Sequence, residues 1–162
     1  MRTGSQREEL PEYQMFPKGM WHMIGAAVCM APALGLLLVF LALVSSQWLS
    51  DGTVLVGSLV LFFLSVFVLV TPTFLLSRGR SKWHGFLLRF NLLLIGALAT
   101  ASLVSPLREN TNLFLTTFAG LGFATVARFF YKSNAYTGCV EYYRAIWAHQ
   151  RRSSPSSTSP KP

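Results

Sequence analysis

Four stretches of the chain are apolar on every side: residues 23–44, 53–76, 86–107 and 113–131. Neither the two-residue alternation of a half-buried strand nor the narrow stripe of a surface helix is present in them. An α-helix rises 1.5 Å per residue, so about 20 residues cross a hydrocarbon core about 30 Å thick, and each stretch is long enough. The second is the plainest case, since residues 54–70 carry no charge and only Gly57, Ser58 and Ser65 interrupt the run. The connections 45–52, 77–85 and 108–112 are too short for a further domain, and they predict that consecutive helices are antiparallel neighbours. The expected fold is all-α and integral to a membrane, a four-transmembrane-helix antiparallel bundle over residues 23–131.

After the fourth stretch the pattern changes. Across residues 132–152, Tyr136, Val140, Tyr143 and Trp147 recur at helical spacing, with Arg144, Arg151 and Arg152 among the polar neighbours. That is the pattern of an amphipathic helix, expected at the cytoplasmic interface with its apolar side either on lipid or against protein. Residues 1–22 are expected to be a cytoplasmic segment and residues 153–162, rich in Ser and Pro, to be disordered. Segment 2–18 is polar and contains Glu8, Glu9 and Glu12, unlike a cleaved signal peptide, so the first span is expected to be its own insertion signal. Pro32 falls mid-span and should bend the first helix, whereas Pro72 and Pro106 fall near the ends of the second and third.

Charge orients these elements. Arg2, Arg7 and Lys18 precede the first span, Arg78, Arg80 and Lys82 fill the second connection, and Lys132, Arg144, Arg151, Arg152 and Lys161 follow the fourth. The other two connections hold only Arg108. Because Lys and Arg in short loops stay in the cytoplasm, this bias predicts both termini there, in a bacterial cytoplasmic (inner) membrane. The net charge of +8 is then accounted for by topology and by anionic headgroups, and no nucleic-acid partner is expected. Trp21-His22 and Trp83-His84 open the first and third spans on the same side, and with Arg89, Arg128 and Trp147 they are expected to be interfacial anchors. Two histidines so placed also suit haem ligation in principle; the aromatic belt is the preferred reading.

In lipid, helices associate through close packing of small residues. Gly96, Ala97, Thr100 and Ala101 in the third span, and Gly120 and Ala124 in the fourth, are the candidate packing positions, with Ala27, Ala31 and Gly35 in the first. The second span is bulky by comparison, with Leu61, Phe62, Phe63, Phe67 and Leu69, and is expected to face lipid or a partner. Asn91 is the one amide within a span and is expected to clip two helices together.

Chemistry is sparse. All six acids lie outside the spans, which disfavours a coupled ion transporter. No zinc spacing, phosphate loop or nucleophile elbow occurs, so neither an enzyme nor a cofactor is expected. Cys29 and Cys139 are expected to stay free thiols in a reducing compartment. The remaining function is contact within the bilayer: an immunity protein neutralising a pore-forming toxin first, an accessory subunit of a secretion, conjugation or respiratory machine second, an oligomeric channel or carrier third. Likeness to small four-helix bacterial membrane proteins is architectural only.

Overall fold

The computed structural model describes residues 17–105 and 111–153, with side chains up to residue 149. Arg2, Arg7, Pro106, Arg108 and the 154–162 tail with Lys161 lie outside the described residues, as do the side chains of Arg151 and Arg152. Five α-helices follow one another: α1 Met20–Ser45, α2 Asp51–Ser77, α3 Lys82–Val104, α4 Thr111–Lys132 and α5 Asn134–Ser153. The first four are each long and apolar enough to cross a membrane, which suggests a multi-pass membrane protein.

Local chemistry sets the helix ends. Gly19, at φ 104°, precedes α1 in a left-handed conformation that an L side chain rarely adopts. Ser50 opens α2 from an extended conformation, its hydroxyl 2.9 Å from that of Thr53, and Asp51 in the first turn complements the helix dipole. At the other end of α2 the Gly79 N–H donates to the Leu76 carbonyl and the Arg80 N–H to the Leu75 carbonyl. Those two bonds, with Gly79 at φ 76°, form a Schellman motif that satisfies carbonyls the helix would otherwise leave bare. Ser133 begins α5, its hydroxyl oxygen accepting the Tyr136 N–H at 3.1 Å. Pro32 leaves the Val28 carbonyl without its helical donor, yet α1 continues through it.

The core is built by α1, α3 and α4. Ala26, Met30 and Ala33 of α1 meet Leu87, Leu94 and Leu98 of α3 and Ala124, Ala127 and Tyr131 of α4. Small residues in α1 and α4 let those two helices approach most closely, and they form the dominant pair. Gly25 lies under the Phe130 ring, Leu36 against Gly120, and Phe40 shares a smaller cluster with Leu113 and Ala101. By contrast the buried residues of α2 are Leu69, Pro72 and Leu76, all in its last third.

At one end of this bundle α5 touches every other helix terminus nearby. Ala135 abuts Gly19 before α1, Trp147 packs on Gly79 after α2, and Tyr136 meets His84 of α3 and Tyr131 of α4. The apolar side of α5 is thus taken up by protein: Tyr136, Cys139 and Val140 are buried. Of the two surroundings its sequence allowed, the structure has the protein one, and the reason is the pair of glycines that let α5 come within backbone distance.

Candidate functional site

Two features of the bundle are candidates for function: the outward face of α2 and the polar groups inside the end covered by α5. Along α2 the side chains of Leu55, Leu59, Phe62, Phe63, Phe67 and Phe74 are all exposed, Phe63 at 64% and Phe67 at 66%. A helix so apolar and so little covered needs lipid or another helix around it. Toward its start α2 separates from α1, leaving an open apolar cleft of about 410 Å³ lined by Gly35, Val39 and Ala42 on one side and Leu55, Ser58 and Phe62 on the other.

The small-residue positions divide between two faces. Ala101, Gly120 and Ala124 are buried. Gly96, Ala97 and Thr100 are exposed, and a Cβ at Gly96 would have nothing within 4 Å. These three thus lie on the outer face of α3. The Thr100 hydroxyl donates back along its own helix, to the Gly96 carbonyl at 2.7 Å. Small residues carry no directional signal in a helix that is apolar all round. Asn91 carries that signal: an amide in a span must face protein, and Thr100, about two and a half turns away, falls on the opposite side.

Asn91 is fully buried, its Nδ2 donating to the Ala124 carbonyl at 2.9 Å and lying 3.4 Å from Met30 Sδ. One side chain thus ties α3 to α4 and touches α1. Ser105 and Thr117 are buried between α3 and α4, their hydroxyls 3.5 Å apart and each also bonded to its own helix. Such bonds in a membrane are worth about 1 kcal/mol.

The expected anchors have distinct surroundings. Trp21 is 73% exposed, and Trp83 is half-buried with its ring edge-on to Phe86. His22 packs edge-on to Phe130 of α4 and His84 edge-on to Tyr136 of α5, so each histidine has its own aromatic neighbour. Among the described residues no three His, Cys, Asp or Glu side chains form a metal-binding group. Arg89 is exposed, while the half-buried Arg128 has a covered Nη1 without a hydrogen-bond partner. Trp147 Nε1 donates to the Ser77 carbonyl at 2.9 Å, binding α5 to the end of α2. Cys29 and Cys139 are free thiols.

Tyr136 was legible as apolar-face material, whereas its place between Tyr131 and His84 was not, because it depends on the fold-back of α5. Burial pushes the Tyr136 hydroxyl well above its usual range, with Tyr131 and Cys139 adding to the effect, and burial likewise raises the Cys139 thiol. Trp147→Phe keeps the ring and removes the donor. It is expected to cost about 1 kcal/mol, read as a melting point lower by about 3 °C in detergent; an unchanged melting point would mean the bond to Ser77 contributes nothing. Comparison with protein-family models, curated proteins and solved structures finds no match.

Proposed function

We propose that this chain acts by helix-to-helix contact inside a bacterial cytoplasmic membrane, as an immunity protein that neutralises a pore-forming toxin. The observation that carries the reading is α2, a span whose large apolar side chains, Phe62, Phe63 and Phe67 among them, face away from the rest of the protein. A toxin that inserts helices into the bilayer meets there a complementary apolar surface and needs no chemistry to be held. In this reading the four spans run alternately up and down, with both termini in the cytoplasm. Support comes from the contacts of Gly25 with Phe130, Leu36 with Gly120 and Phe40 with Leu113, and from Lys18, Arg78, Arg80, Lys82 and Lys132 at the ends that α5 covers.

A machine subunit is the second reading, gripped by α2 and by the aromatic tail. The burial of Tyr136 and Val140 against the chain's own bundle weakens it, since that aromatic face is already occupied. Cells producing the chain are expected to survive a pore-forming toxin encoded beside its gene. Protection should fall when Phe63 and Phe67 are both changed to Ala, with the amount of membrane-inserted protein unchanged. Killing that is the same with and without the chain would end the immunity proposal.

A further inference from the structure

This inference requires that α4 span a bilayer and is independent of the immunity proposal. Arg128 lies four residues before Lys132, the last residue of α4, so it sits about one turn, roughly 6 Å, inside the helix end. At that depth a long cationic side chain ordinarily carries its head out to water. Here Nη1 is wholly covered by protein and meets no acceptor. The described carboxylates do not serve it, since Asp51 opens α2 at the far end of that helix and Glu141 is exposed on α5.

A second polar group at this end of the bundle is without a partner. Tyr136, 1% exposed, packs against Tyr131, three residues beyond Arg128 on α4, with ring centroids 5.3 Å apart, and its hydroxyl has no partner. One acceptor without a partner, Asn91 Oδ1, lies a turn deeper, where Asn91 binds the Ala124 carbonyl. This end of the bundle is also edged by the exposed Lys82 and Lys132, so cationic groups gather there at headgroup depth.

We infer that Arg128 is a binding residue for a phosphate group, of the kind carried by a phospholipid headgroup or by inorganic phosphate, at the end of the bundle where α3, α4 and α5 meet. The chemistry fits: a phosphate oxygen is an acceptor that a guanidinium N–H binds strongly, by a charge-assisted hydrogen bond. The site is not sealed, because Arg128 as a residue is partly exposed. Arg89, exposed on α3, serves as the comparison.

The test measures melting of the full chain in mild detergent, with phosphatidylglycerol, with diacylglycerol of the same acyl chains, or with inorganic phosphate. Wild type and Arg89→Gln are expected to melt about 4 °C higher with a phosphate-bearing compound near ten times its dissociation constant, and not with diacylglycerol. Arg128→Gln should lose that rise, and Arg128→Lys should keep part of it. A rise with phosphatidylglycerol alone assigns the headgroup; a rise with inorganic phosphate as well assigns the phosphate group itself. The inference is overturned if wild type shows no rise, or if Arg89→Gln loses as much as Arg128→Gln. It is overturned equally if Arg128→Gln melts lower by one constant amount in every condition, the result expected of an internal bond to Asn91. Toxin protection is not read in this experiment, so its outcome leaves the immunity proposal where it stood.

Discussion

Gly120→Leu is expected to separate α4 from its neighbours and to lower the melting point in detergent by about 5 °C or more. Even a Cβ at this position would lie 3.0 Å from Leu98 Cδ2 of α3 and 3.3 Å from Leu36 Cβ of α1. The remaining leucine atoms have no space, and both helices must retreat. Overpacking of this kind costs about 1 to 3 kcal/mol in a soluble core. Here it also removes the close approach that substitutes for hydrophobic drive between helices in lipid. The better helix propensity of Leu over Gly returns a little under 1 kcal/mol, too small to reverse the sign. Asn91 amplifies the loss, since its bond to the Ala124 carbonyl one turn away holds only while α3 and α4 stay close. The matched control is Gly96→Leu, where nothing stands within 4 Å of the new Cβ, and no loss of melting point is expected. Equal destabilisation by the two changes would mean that Gly96 packs on something outside the chain.

That pair of glycines shows what was legible in the chain and what was not. Length and uniform apolarity mark the four spans, because a bilayer imposes a minimum helix length and a penalty on charge regardless of partner. The bulk of α2 marked it as the outward helix, and the structure leaves Phe62, Phe63 and Phe67 uncovered. The inward face of α3 is different. Lipid and protein interiors are about equally apolar, so Leu92 and Leu93, exposed, look the same in sequence as Leu94 and Leu98, buried. Only a polar side chain breaks that symmetry, and reading outward from Asn91 by whole turns finds Leu87, Leu94, Leu98 and Ser102, the buried face, and rejects Gly96 and Thr100. The docking of α5 had no such marker. It rests on Gly19 and Gly79, two loop glycines whose left-handed backbone ends or opens a helix and whose missing Cβ matters only once Ala135 and Trp147 arrive against them.

Gly19→Ala is the second large effect expected, and it acts chiefly on α5. The residue sits at φ 104°, where an L side chain costs about 1 to 2 kcal/mol, and the added Cβ would fall inside contact distance of the Ala135 carbonyl oxygen and carbon. A backbone carbonyl within a helix cannot turn aside as a flexible side chain can, so either α1 unwinds at its start or α5 lifts away. Lifting is the easier course, because α1 is held along its length by α4 whereas α5 is held at a few points, Tyr136, Val140 and the Trp147 bond among them. Cys139 reports the event. In the wild type Cys139 is fully buried, its Cβ 3.2 Å from the position of the added Cβ, and burial raises the pKa of its thiol, so it is largely protonated and a poor nucleophile at neutral pH. With Cys29 replaced by Ser to leave a single thiol, Gly19→Ala should speed maleimide labelling at pH 7 by about tenfold or more, through both exposure and a thiolate fraction restored toward that of free cysteine. Wild-type labelling of the variant would mean that Gly19 does not hold α5 in place.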